Sequence, residues 1–185
     1  MHPRGLRREA VTAARNGALS GAVVYLKRGL ENWRFPPPTE AVLLEQKGCL
    51  FVPRVLALRT GQTLLVRNSD PVSHNIHPTP RLNRDWNQQQ PPGAPDLERR
   101  FRFAEVVIPV KCNVHSWMRS YLAVTDHPFV AVTGTDGKYA FRGLPPGAYT
   151  IAVWHEGAGE VEREVTLAPS AEVQLDLRVG SARSH

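Results

Sequence analysis

Cys112-Asn113-Val114-His115-Ser116-Trp117-Met118 is the stretch on which the reading of this chain turns: a thiol, an imidazole and a thioether recur at every third position. A tight loop can turn three side chains at that spacing inward to meet a single ion. Upstream, residues 105–110 are apolar enough for a buried strand that delivers Cys112 to the rim of a sheet, and residues 121–125 lead away again. The heptapeptide is therefore expected to join two adjacent strands as a short loop on a stiff scaffold. A fourth donor lies further back, in Asn68-Ser69-Asp70-Pro71-Val72-Ser73-His74-Asn75.

Two imidazoles, a thiolate and a weak axial thioether suit a mononuclear electron-transfer copper ion, because Cys and Met hold Cu(I) while imidazole serves both oxidation states. Zinc more often asks for a second Cys or a further His nearby. A binuclear copper centre would place two Cys in one loop, and only one is present. The residues Cys112-x2-His115-x2-Met118, preceded by Asn68-x-Asp70-x3-His74-Asn75, resemble the cupredoxin family of blue copper proteins, of the amicyanin and plastocyanin kind. The short loop is most similar to that of the amicyanins. The resemblance covers roughly residues 40–126, and the joint pattern is specific where either half alone is weak. It implies His74, Cys112 and His115 as the strong ligands of one Cu(I)/Cu(II) ion and Met118 as the axial one. It further implies that Asn75 ties the His74 segment to the Cys112 loop, and that an exposed edge of His115 passes the electron.

The bounds set by composition agree with a β-rich globular protein. At 185 residues the chain can bury a sizeable core without disulfide staples, and 16 Pro with 14 Gly favour short strands and turns over long helices. A formal charge of +6 invites a nucleic-acid reading. The Lys and Arg residues are scattered, however, and no recognition motif accompanies them. Such a surface steers an acidic protein partner or an anionic membrane face instead. Two Cys make no disulfide framework. No apolar run approaches the roughly 18 residues of a membrane span. The opening MHPRGLRREA is basic but is not followed by the apolar region of a secretory signal. The resemblance implies a periplasmic or otherwise extracytoplasmic location, with the signal peptide already removed.

In chain order, residues 1–17 read as a flexible arm and residues 21–27 (GAVVYLK) as a strand. Residues 28–40 carry Pro36-Pro37-Pro38 and form a connection, with Trp33 as its packed anchor. Short strands are expected over 41–44, from Cys49 to Pro53, and over 55–58 and 63–66, the last pair flanking a turn at Gly61. Residues 75–100, rich in Pro and Gln, read as a surface excursion forming an ordered flap beside the metal, with Trp86 pinned beneath it. Phe101-Arg102-Phe103 alternates as a strand does.

From His127 the pattern changes. T-x-x-D-G-x-Y-x-F around Asp136-Gly137 and L-P-P-G-x-Y-x-I around Pro146-Gly147 resemble the carboxypeptidase regulatory-like, transthyretin-like sandwich module, and both Gly positions read as hairpin turns. The fold class is therefore all-β: a Greek-key cupredoxin sandwich over 40–126 and a small transthyretin-like sandwich over 127–180, with a tail over 181–185. About 50 residues is short for two full sheets, so a segment over 18–34 is expected to complete the second module. That arrangement inserts the copper domain into the other; a plain tandem is the alternative.

Several residues carry two readings. Cys49 is a small buried hydrophobe, or it sits at the copper end and contacts the site or pairs with Cys112 when metal is absent. His77 is a surface polar group or an alternative ligand. His127 and His155 are satisfied structural donors, or they orient a ligand from across the domain junction. Trp117 packs beside the site and screens it from water.

No open coordination position and no catalytic triad or carboxylate pair stands out, so the chain is not read as an enzyme. The leading function is type 1-like copper electron transfer, alone or as the electron-input module of a redox complex. Its partner would be a redox protein such as a c-type cytochrome or oxidoreductase. The alternative is copper storage, delivery or sensing without redox turnover, in which His77 and Cys49 matter more. A third reading makes the metal a fold staple in a structural or adhesion protein.

Overall fold

A computed structural model describes residues 17–180, so the arm expected over 1–17, Gly17 apart, and the tail expected over 181–185 lie outside the described residues. Every regular element among them is a strand: β1 (Val23–Arg28), β2 (Val42–Lys47), β3 (Leu50–Val52), β4 (Val55–Arg59), β5 (Leu64–Asn68), β6 (His74–Pro78), β7 (Gln88–Gln90), β8 (Leu97–Arg99), β9 (Glu105–Lys111), β10 (Arg119–Thr125), β11 (Val130–Val132), β12 (Gly147–His155) and β13 (Gly159–Leu167). No helix of the described residues is long and apolar enough to cross a membrane. The all-β expectation holds.

Pairing gives three sheets, ordered β3-β2-β5-β8, β4-β10-β9-β6-β7 and β11-β1-β12-β13. The β2–β5 and β4–β10 contacts are parallel, so each joins strands by a crossover rather than a hairpin. Leu44, Leu64 and Val66 from the first sheet share one buried cluster with Ile76, Ile108, Leu122 and Val124 from the second. The second sheet is also covered behind: Val55 and Ala123 pack with Val23, Tyr25 and Ala152 of the third. Strand β10 is thus buried on both faces, which is why Leu122-Ala123-Val124 reads as an unbroken apolar run rather than alternating. The same holds for β1. Its Val23 and Tyr25 face the middle sheet, while Val24 and Leu26 join a further cluster with Phe129, Tyr149, Ile151 and Val153.

Strand β1 pairs with both β11 and β12, at Val23↔Val132 and Val23↔Trp154. The chain therefore leaves the third sheet after β1, builds the other two sheets through β10, and returns at β11. Across the junction the Arg54 guanidinium grips both Glu156 oxygens, at 2.6 Å from Nε and 2.7 Å from Nη2. Beside that pair the Tyr121 and Trp154 rings lie 5.0 Å apart.

The structure departs from the sequence reading in four places. Trp33, expected as the packed anchor of its connection, is 48% exposed. The excursion over 75–100 contains most of β6 together with β7 and β8, and its one fully buried glutamine is held by hydrogen bonds: Gln90, 1% exposed, donates to Val66 O at 2.9 Å and to Pro95 O at 3.2 Å. Phe101-Arg102-Phe103 is not a strand, because the Arg102 and Phe103 amides donate to Asn83 Oδ1 at 2.9 and 3.0 Å instead of to a ladder. Gly137 does turn the chain, at φ +70°, but Gly147 opens β12, and the hairpin that joins β12 to β13 closes at His155↔Gly159.

Two outcomes follow from this stacking. Ala123 is fully buried between the middle and third sheets, so Ala123→Leu should overpack that layer and lower unfolding free energy by about 1–3 kcal/mol in denaturant titration. Burial raises the Glu156 carboxyl, but hydrogen bonding and charge from Arg54, with Tyr121 and His155, outweigh it and hold the group below its ordinary 4.5. Its contribution to stability is complete above 4.5 and is lost as pH falls through the depressed folded value; Glu156→Gln should flatten the acid limb of the stability–pH curve.

Candidate metal centre

Strands β9 and β10 are in register at Lys111↔Arg119, and the seven residues between them close as a loop in which Cys112 N–H donates to Met118 O at 3.2 Å and Met118 N–H to His115 O at 2.9 Å. That closure turns Cys112 and His115 inward. The His115 N–H also donates to Cys112 Sγ at 3.4 Å, which ties the loop across its own mouth. Strand β6 pairs with β9 through Pro78↔Val110 and so brings His74 beside the loop. His74 Nδ1 and His115 Nδ1 stand 2.9 Å apart, and Cys112 Sγ lies 3.9 Å from His115 Nδ1. Donor atoms of His74, Cys112 and His115 all fall within 4.8 Å of one another. Their exposures are 0%, 2% and 8%, and Met118, at 0%, belongs to the same apolar cluster as Cys112.

Asn75 fastens the two segments together. Its Oδ1 accepts Asn113 N–H at 2.6 Å, Val114 N–H at 3.4 Å and the Cys112 thiol at 3.3 Å, while its Nδ2 donates to Asn87 Oδ1 at 2.6 Å. Asp70 fixes the other side of His74, with Oδ2 at 2.8 Å from Nε2. Burial raises the Asp70 carboxyl, but hydrogen bonds from Cys49 N–H, the His74 ring and Gly48 N–H outweigh it and leave the group below the ordinary carboxylate range. An ionised carboxylate only accepts, so Nε2 carries the His74 proton and Nδ1 presents its lone pair to the pocket. The two Nδ1 atoms face one another across the pocket at 2.9 Å. Two nitrogens each about 2.0 Å from one ion at a tetrahedral angle are about 3.3 Å apart, so the rings need part by only about 0.4 Å to hold one. The residues fit a small soft ion.

The other described histidines, His77, His127 and His155, lie elsewhere. His77 is three positions along a strand from His74, which sends it to the opposite face, where it meets Asp85 Oδ1 at 3.1 Å and Asn113 Oδ1 at 3.4 Å. His127 Nε2 donates to Leu26 O at 2.8 Å, and His155 Nδ1 accepts Gly157 N–H at 3.1 Å. Both belong to the third sheet and its edges, and burial pushes both below the ordinary histidine value. Trp117 sits with its ring 5.2 Å from His115 and donates from Nε1 to Cys49 O at 3.0 Å. Cys49 is partly buried, and desolvation, then Asp70 and Cys112, push its thiol up. The task of Asp70 was missed in the sequence, where the one available clue was an acid four residues ahead of a histidine.

Residues 121–180 match the carboxypeptidase regulatory-like domain family, a range that begins inside β10 and takes in β11 to β13. No curated protein matches the chain. Among solved structures, the chain is similar to a Cu(I) form of an amicyanin methionine mutant, at 17% identity and TM-score 0.40 over 45% of this chain and 81% of that one. It is similar to the reduced state of an amicyanin proline mutant, at 14% identity and TM-score 0.41 over 55% and 97%. It is also similar to the copper-containing nitrite reductase of Thermus scotoductus SA-01, at 16% identity and TM-score 0.42 over 48% and 25%.

Removing the Asn75 tie should strand the Asn113 amide in a partly buried site. Asn75→Ala is expected to cost about 1–3 kcal/mol in denaturant titration and to speed hydrogen exchange at Asn113. Unchanged exchange there would mean that the loop holds itself.

Proposed function

We propose that this chain is a mononuclear copper electron-transfer protein, or the electron-input module of a larger redox complex. His74, Cys112 and His115 would be the strong ligands and Met118 the axial one. The observation that carries this reading is the meeting of two imidazoles and a thiol, from segments 38 residues apart at His74 and Cys112, in one buried pocket. Copper bound there supplies a one-electron Cu(II)/Cu(I) couple.

The chain's own residues do the rest. Asn75 and Asp70 hold the ring and the loop by hydrogen bonds, so the donor set changes little between oxidation states, and small rearrangement means fast transfer. Trp117 covers His115 on one side. His115, at 8% the most exposed of the four proposed ligands, gives the electron its way out. The net charge of +6 favours an acidic redox partner, such as a c-type cytochrome or an oxidoreductase, in an extracytoplasmic compartment. The sheet joining β1 to β11, β12 and β13 supports a second domain into which the copper domain, residues 40–126, is inserted. Copper storage or delivery is the second reading, and the observation favouring it is the Cys49 thiol beside His74.

Adding Cu(II) should give an intense visible thiolate-to-copper absorption that bleaches reversibly on reduction; a colourless or irreversible product favours storage or delivery. Cys112→Ser should abolish the colour, and Met118→Leu should keep copper while raising the reduction potential. An unchanged spectrum and potential in Met118→Leu removes Met118 from the ligand set.

A further inference from the structure

Only one nitrogen of the His74 ring looks into the pocket. Nδ1 stands 2.9 Å from His115 Nδ1, whereas Nε2, on the far side of the ring, stands 2.8 Å from Asp70 Oδ2. The Cys49 thiol belongs to a second group with this histidine and Asp70: donor atoms of Cys49, Asp70 and His74 all lie within 4.8 Å of one another. Electron transfer at the inner pocket has no use for Cys49. We propose that Cys49 Sγ, the Asp70 carboxylate and His74 Nε2 form an outer site for a borderline divalent cation of the zinc class, occupied as an alternative to the inner one.

Thiolate, carboxylate and imidazole together are a zinc donor set, and three protein ligands leave the fourth position to water. Cys49 and Asp70 are only partly buried, so that position opens to solvent. Cu(I) would leave the hard carboxylate oxygen unused. The donors are also held in place. Cys49 sits at φ +56°, its N–H donates to Asp70 Oδ2 at 2.8 Å, and its carbonyl accepts Trp117 Nε1–H at 3.0 Å. Gly48 N–H fixes Asp70 Oδ1 at 2.6 Å.

Occupancy has a cost at the inner pocket. A neutral imidazole has one lone pair, so a cation on Nε2 moves the His74 proton to Nδ1, where it faces His115. The Cys49 thiol gives up its proton to solvent, one proton per cation bound. His74 then has nothing to offer the inner pocket, and the two sites fill in turn rather than together.

The test uses the full chain with Cys112→Ser, which leaves Cys49 as its one thiol. Co2+ serves as probe, because a cobalt–thiolate bond gives a charge-transfer absorption that zinc lacks. The expected result is one Co2+ per chain with that absorption, displaced by Zn2+, lost when Cys49→Ser is added, and weakened at least about ten-fold by Asp70→Ala or by His74→Gln. Either of the last two variants suffices if the other fails to fold, as judged by circular dichroism. Absence of a cobalt–thiolate absorption in Cys112→Ser overturns the proposal, as does an affinity indifferent to Asp70→Ala and His74→Gln, which would describe a lone thiol. In wild type, prior loading with colourless Cu(I) should suppress the cobalt absorption, and an undiminished absorption overturns the alternation. That arm alone rests on the inner copper reading: a wild type that takes up no copper defeats that reading and leaves the Cys112→Ser result standing.

Discussion

One side-chain oxygen holds the candidate centre together. Asn75 Oδ1 accepts two amides and a thiol from the loop after β9, and it belongs to the residue next to His74. The β6–β9 ladder is only two pairs long, at His77↔Lys111 and Pro78↔Val110, and it stops short of the loop itself. Without Asn75 the two segments would be joined only by that ladder and by the packing of Ile76 with Ile108 and Val110. Buried polar atoms of this kind cost free energy unless every partner is in place, which is why such a tie also fixes one geometry.

Below the centre, the polar end of the sandwich is organised the same way. Gln90 Nε2 donates to Val66 O and Pro95 O, so its Oε1 must accept, and Gln46 Nε2 is the donor at 2.7 Å. Asn68 Nδ2 adds bonds to Gln90 O and Val72 O. This leaves Gln46 Oε1 buried and without a partner among the described residues, a desolvated acceptor at the end of an otherwise satisfied chain. The network joins β2, β5 and β7 where the apolar core gives way to the candidate centre, doing with amides what Leu44 and Val66 do with methyl groups further in.

The third sheet stiffens the scaffold from behind. Packing β1 and β12 on the outer face of β4 and β10 buries Val55 and Ala123 and takes the centre of β10 out of water on both sides. The Arg54–Glu156 pair and the Tyr121–Trp154 contact pin the two bodies at the start of β4 and β10. A loop that springs from a strand buried on both faces inherits that rigidity, since strain in a close-packed interior has nowhere to relax.

Sequence alone carried the strand-rich class, because alternation, β-branched runs and Pro–Gly punctuation are local properties of a chain. It also named the residues that meet as candidate donors, since side-chain chemistry is written in residue identity, and the structure groups His74, Cys112 and His115. The strands hidden in residues 75–100 were illegible. Gln and Asn look like loop residues until their hydrogen-bond partners, 24 and 44 positions away for Gln90 and Gln46, are in place. Tertiary structure alone decided that His74 meets the sulfur while His77 faces away, that Asp70 bonds the His74 ring, and that Cys49 comes within reach of both. Those outcomes depend on strand register and on the meeting of distant segments, where a shift of one residue sends every side chain to the opposite face.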